Sequence, residues 1–232
     1  MIDPALQESL FNMTLGAYCE KSKHVIWAMP IYILANLSFV AAGAYSYWRY
    51  LQFRAAKFPG AEAVHVIAWV IAAIGILGVY NYFFRSMPTL WAQVSVIMIY
   101  VFGFFTIFIR YVIKLKWKHV ILGLLGFALI NFLNIELHNP REMNGAVFYL
   151  PILLVLVIFS AHLHAQHKPG TLLFIQASVL FMLAIFLRMM DANVCERTGI
   201  GTMVLWLVCT AISMSFLMEV LARNVFEKLP RR

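Results

Sequence analysis

The stretch LPILLVLVIFSAHLHAQHKPGTLLFIQASVLFMLAIFL, residues 150–187, holds two apolar runs separated by one polar break at His167, Lys168, Pro169 and Gly170. With their flanks, 146–165 and 171–189, each run is about 20 residues long. At about 1.5 Å per residue that is enough to cross a hydrocarbon layer of about 30 Å. Backbone in lipid has no water to bond to, so each run is predicted to be a helix that satisfies its own N–H and C=O groups.

The same pattern recurs on both sides, near 28–49, 62–83, 90–110, 119–135 and 200–222. The chain of 232 residues is 63% hydrophobic and 12% charged, with a mean hydropathy of +0.83. That leaves too few polar residues to cover a soluble core of this size. The sequence therefore predicts one all-α domain, 1–232, a seven-helix transmembrane bundle. The fourth run ends on Asn131 and Asn134 and is expected to tilt or stop early. Residues 1–16 lack the basic n-region and cleavage site of a signal peptide. They read as an interfacial helix, with Asp3 as cap, Pro4 in the first turn and Leu6, Leu10 and Met13 on one face. An unstructured terminus is the alternative.

Positive charge sets the orientation. If the N-terminus lies outside, the inner segments hold twelve of the eighteen Lys and Arg: Arg49, Arg54, Lys57, Arg110, Lys114, Lys116, Lys118, Lys168, Arg223, Lys228, Arg231 and Arg232. Basic residues are retained on the cytoplasmic side, so the C-terminus is expected inside. The net charge of +8 then forms a collar for anionic headgroups, worth about 1 kcal/mol per residue near the surface. Nothing in it suggests nucleic acid. This topology places Cys19 and Cys195 on the outer side, where a disulfide can persist. A bond between them would close nearly the whole chain, an effect on the order of 5 kcal/mol by loop entropy. Two unrelated thiols are the alternative. Cys209 reads as a small packing residue in mid-helix.

Candidates for chemistry are few. His65 alone among seven histidines falls inside a span, near its inner end, and Glu219 alone among ten carboxylates, with Arg223 at i,i+4 as its expected partner. His162, His164 and His167 sit at the inner boundary, His164 and His167 at i,i+3 on a helix. His162 points about 200° away from His164, so the three do not share a face as a zinc site requires. Arg85 follows Asn81 by one turn at the outer end of the second span. It can snorkel to headgroups, or face inward and hold a phosphate, a carboxylate or Asp191.

Three segments, YCEKSKHVIWAMPIYILANLSF, GVYNYFFRSMPTLWA and LRMMDANVCERTGIGTMVLWL, resemble the signature regions of the alkaline ceramidases and their bacterial relatives in the CREST superfamily, which also holds the progestin and adiponectin receptors. The resemblance runs from the first span to the last. It implies a seven-helix bundle in a bacterial inner membrane. In that family the bundle binds zinc through three histidines and a polarised water and hydrolyses lipid amides. Its matching cysteines are bonded, which agrees with Cys19 pairing with Cys195. Position by position, however, the family's Ser-x-x-x-His reads Asn81 and Arg85, its third-helix aspartate falls at Val96, and its last His-x-x-x-His reads Met203 and Leu207. An acid and an asparagine of the first helix fall at Met29 and Tyr32. What remains is a scaffold of Cys19, Glu20, Asn36, Trp91, Arg188, Asp191, Cys195, Gly201, Thr202 and Trp206.

Met203 and Leu207 make an apolar stripe where two imidazoles would converge, and neither suits zinc. A guanidinium about 4 Å from a divalent ion adds several kcal/mol of repulsion even when screened. The sequence therefore predicts no cofactor and a closed zinc site. Three functions stay open. The first is a non-catalytic membrane protein, structural or accessory, with lipids and other membrane subunits as partners. The second is a hydrolase of lipid amides with a rebuilt site that uses Arg85, Asn81, Asp191 and Glu20. The third is a lipid sensor resembling the receptor branch.

Overall fold

A computed structural model describes residues 28–55, 60–84, 87–138, 142–198 and 201–226. Among the described residues the chain is all-helical, with no strand. In chain order the helices are α1 (Ala28–Ala55), α2 (Ala61–Phe83), α3 (Met87–Ile107), α4 (Trp117–Leu137), α5 (Leu150–Ala165), α6 (Thr171–Thr198) and α7 (Met203–Phe226). A π-helical segment, Phe108–Ile113, prolongs α3, and a 3-10 segment, Glu142–Tyr149, leads into α5. Six of these segments are long and apolar enough to cross a membrane: 61–83, 91–113, 117–137, 143–165, 171–197 and 203–224. The protein is an integral membrane protein. Helix α1 is not among the six, although its exposed positions include Ile31, Leu34, Leu37, Trp48 and Leu51. The interfacial helix expected over 1–16 lies outside the described residues.

The helices form a ring. Helix α1 packs on α2 and α7, α7 on α6, α6 on α5 and α2 on α3, while α4 closes the circle through sparse contacts to α3 and α5. The π-helical end of α3 also reaches α7. Small residues set the closest of these contacts. Gly43 of α1 faces Ala68 and Ala72 of α2, and Gly75 and Gly78 of α2 face Asn36, Phe39 and Val40 of α1, so the two backbones nearly touch. Between helices in lipid, such packing takes the place of a hydrophobic driving force. Hydroxyls inside the spans mostly bond a carbonyl one turn back, as Ser46 does to Ala42 (2.8 Å), Ser178 to Phe174 (2.9 Å) and Thr210 to Trp206 (2.8 Å). Ser213 crosses from α7 to the carbonyl of Ala177 on α6 at 2.9 Å. Phe104, Phe108, Phe159 and Phe174 form an aromatic cluster where the end of α3 meets α5 and the start of α6, with Phe108 4.9 Å from Phe159 and 5.0 Å from Phe174 between ring centres.

Several expectations need correction. Helix α4 does not stop early: Asn131 donates back to the Phe127 carbonyl (2.8 Å) and Asn134 reaches the Val147 carbonyl (3.1 Å), so neither side chain ends the helix. Helix α6 continues to Thr198, so Asp191 and Cys195 lie within a helix and not in a loop after it. His167 is not on a helix with His164, because α5 ends at Ala165 and His167 has φ +49°.

Glu219 is bonded to Arg223 as expected, at 3.1 Å, and also to two groups of α1: Arg49 Nε at 3.1 Å and the Tyr45 hydroxyl, which donates at 2.5 Å. Glu219 and Arg49 are mostly buried, whereas Arg223 is half exposed. Removing one member of such a pair strands the other charge in a poor solvent. Glu219→Gln is therefore expected to lower stability by about 2 kcal/mol, read as thermal unfolding in detergent. Adding Arg223→Gln should cost little more. Equal melting of Glu219→Gln and the native protein would show that the cluster does not tie α1 to α7.

Candidate functional site

Opposite the Glu219 cluster, at the end of the bundle where α2 turns into α3 and α6 into α7, a cavity of about 160 Å³ opens between α1, α2, α3, α5, α6 and α7. Its walls are largely hydrocarbon: Phe39, Ile74, Phe104, Phe181, Leu207 and Met214. The polar residues that line it are Asn36, Asn81, Gln93, Tyr100, Arg188, Trp206, Thr210 and Ser213, with the tyrosines Tyr32 and Tyr149.

Each of these is placed by local chemistry. Asn81 ends α2, and its Nδ2 donates to Gln93 Oε1 (2.5 Å) and to the Thr89 carbonyl (3.2 Å), which fixes the α2–α3 turn. Its Oδ1 is buried and has no hydrogen-bond partner. Asn36 of α1 donates to the Tyr32 carbonyl at 2.9 Å, and its Oδ1 sits in the space that the missing side chain of Gly78 leaves.

Asp191 organises the α6–α7 junction. Its Oδ1 accepts from the backbone N–H of Thr202 (2.5 Å) and of Met203 (2.8 Å), and weakly from the Thr202 hydroxyl (3.4 Å). The acid thus caps the first turn of α7 from another helix, satisfying N–H groups that have no partner within α7 and facing the positive end of its dipole. Thr202 Oγ1 also donates to the Leu187 carbonyl at 2.5 Å. Asp191 is a structural cap and does not face the cavity.

Arg188, one turn before Asp191, lies against the cavity. Its guanidinium stacks on Trp206 (4.8 Å) and Tyr149 (5.5 Å), and Nη1 points at Met203 Sδ at 3.8 Å. Cation–π contact of this kind holds a guanidinium where few anions are available. Asn144, in the left-handed start of the α5 segment, donates to the Arg188 carbonyl at 3.0 Å and so anchors this part of α6. Arg188 Nε, Trp206 Nε1 and the Tyr100 hydroxyl are buried without a hydrogen-bond partner.

Of the site residues expected from sequence, Asn36, Asn81, Arg188 and Leu207 line the cavity, and Met203 is buried beside Arg188. Val96 is half-buried against the core but does not line the cavity, and Trp91 is exposed on the outside of the bundle. Cys195 does not carry a free thiol, whereas Cys209 does. Cys19, Glu20 and Arg85 lie outside the described residues, and with them the expected Cys19–Cys195 pair and both readings of Arg85, snorkelling or inward-facing. Sequence reasoning missed Tyr100 and Gln93. The signal was available: a tyrosine or glutamine deep in an apolar helix carries a polar tip that must be met.

Among the described residues that line the cavity there is no histidine, cysteine or carboxylate. Among the described residues no three His, Cys, Asp or Glu converge as a metal site. The two lining hydroxyls on α7, Thr210 and Ser213, already donate to carbonyls. The described lining can donate hydrogen bonds and surround hydrocarbon. Comparison with family models, with curated proteins and with solved structures finds no match to the chain. The likeness to the ceramidases therefore rests on the residues quoted above.

Proposed function

We propose that this chain is a non-catalytic, ceramidase-like membrane protein that serves a membrane assembly as a structural or accessory subunit in contact with lipid. In this reading α1 is a seventh span, made tolerable in lipid by its fit against α2 and by the Arg49–Glu219 pair. The cavity end of the bundle then faces outward and the basic Arg110–Lys118 end faces the cytoplasm of a bacterial inner membrane, in keeping with where Lys and Arg fall. Cys19 and Cys195 are proposed to be bonded at the outer end.

One observation carries the reading. At the positions where the resembled family places its two last-helix histidines stand Met203, against the Arg188 guanidinium, and Leu207, in the cavity wall; both are buried. Neither side chain has the basicity to hold a zinc ion in place of an imidazole. A hydrolase would need a base, and the described lining residues include no histidine or carboxylate to act as one.

The test is purification of the native assembly in mild detergent, with metal analysis, assay on N-acyl sphingoid lipids and mass spectrometry of whatever remains attached. Expected are less than about 0.1 zinc per chain on the stoichiometry of a tight structural or catalytic site, no turnover, and a co-purifying membrane protein. Stoichiometric zinc, or amide hydrolysis by the pure polypeptide, would overturn the proposal.

A further inference from the structure

Three side chains more than nine-tenths buried bring unmet polar atoms to the cavity: the Tyr100 hydroxyl (4% exposed), the Trp206 indole N–H (7%) and Asn81 Oδ1 (2%). Arg188 Nε–H is a fourth. They come from α3, α7, α2 and α6, so four helices each bring a residue with an unmet group to the lining of one cavity. A buried polar group without a partner is rare in proteins and especially costly where water is scarce. Four around a single cavity call for a polar occupant.

The balance of donors and acceptors says which kind. Three of the four groups can donate, and Arg188 makes no ion pair among the described residues. Its neighbour Asp191 directs Oδ1 to the start of α7; Asp191 Oδ2 is buried and unmet, but Asp191 is not part of the described lining. The complement of three convergent donors, one of them charged, is a group that accepts several hydrogen bonds and carries negative charge. A carboxylate offers two oxygens with about four lone-pair sites and no donor, and a phosphate ester offers at least as many. Hydrogen bonds between charged partners are also the stronger class.

Size adds a second constraint. A cavity of 160 Å³ is about the size of an engineered cavity of roughly 150 Å³ that takes up benzene. It admits a head group and a few carbons, and the wall of Phe39, Ile74, Phe104, Leu207 and Met214 suits those carbons. The rest of a longer chain has to leave between helices into the bilayer.

We propose that this cavity binds the anionic head of a single-chain amphiphile, with Arg188, Trp206 and Tyr100 as its hydrogen-bond donors, and that it discriminates against neutral amide lipids. An amide brings its own N–H into a pocket already rich in donors and leaves the guanidinium unpaired. The inference does not depend on a role in an assembly.

The experiment uses the full chain in nanodiscs of zwitterionic lipid, with labelled dodecanoate, dodecyl phosphate and dodecanamide as probes in equilibrium binding. At least one anion is expected to bind about tenfold or more tightly than the amide, as fits charge-assisted bonds. Which anion wins tells a carboxylate source from a phosphate source. Arg188→Gln should abolish the preference, but it changes a stacked charge and can disturb folding. Tyr100→Phe is the cleaner variant: it removes only an unmet hydroxyl. The ligand-free protein should melt at the same temperature or higher, while the anion binds about threefold to tenfold more weakly, the loss of one hydrogen bond. Trp206→Phe should act in the same direction on binding. Equal affinity for anion and amide would overturn the proposal. So would no binding of any probe up to its solubility, which would leave water as the occupant, or unchanged anion affinity in Tyr100→Phe.

Discussion

Gly75→Leu is expected to yield little or no folded monomer in detergent, judged by a collapsed monodisperse peak in size-exclusion chromatography. A Cβ at Gly75 would stand 2.5 Å from the backbone oxygen of Asn36, 3.0 Å from Phe39 Cβ and 3.1 Å from Val40 Cγ2. A side chain can swing away from an intruder; the carbonyl of Asn36, inside α1, cannot. The whole of α1 must therefore move off α2. Overpacking in a filled core costs about 1–3 kcal/mol and sometimes more, and an obstruction by backbone belongs at or above the top of that range. The movement would also displace Asn36 and Phe39 from the cavity wall, so a local steric change reaches the site. Gly126→Leu is the control, because a Cβ there meets nothing within 4 Å. It should behave like the native chain. Were Gly75→Leu to melt within a degree or two of the native protein, the close α1–α2 approach would be wrong.

The second large effect is expected at Asp191. Asp191→Ala removes the acceptor shared by the Thr202 and Met203 N–H groups, both at the start of a helix and both poorly served by water. Losing an N-cap costs about 1 kcal/mol in ordinary settings. Leaving two buried donors unmet raises that, so about 3 kcal/mol is expected. Asp191→Asn keeps an Oδ1 acceptor and should recover most of it. The check is thermal unfolding of the three proteins side by side. If the alanine and asparagine variants lose stability equally, the cap is not what Asp191 supplies.

The membrane-crossing segments were legible from residues alone because hydropathy and length are properties of the chain itself. Their ends were less so. A hydropathy reading halts the sixth span near Arg188, yet α6 runs ten residues further, since the guanidinium is taken up by Trp206 and Tyr149 and the acid by the start of α7. Those partners lie on other elements, where no local window can find them. The same holds for Glu219: Arg223 was visible at helical spacing, whereas Arg49 and Tyr45, some 170 residues earlier, were not. At the cavity, Asn81 and Leu207 were found by aligning them with a motif they no longer fulfil. Tyr100 was passed over as one more aromatic in an apolar helix. Whether its hydroxyl is met depends on which neighbours surround it, and that is decided only when the ring of helices closes.

Helix α4 stands apart from all of this. Only Val120 and Phe127 of its side chains are buried, while Leu122, Leu125, Leu129 and Phe132 are all more than half exposed. Few of its positions are held to a particular shape, so drift among aliphatic residues there should pass almost unselected, in contrast to the glycine-bound seam of α1 and α2. It is also the place to attach a spin label or photocrosslinker, at Leu125 for instance, that reports on the surrounding bilayer without disturbing the rest of the molecule.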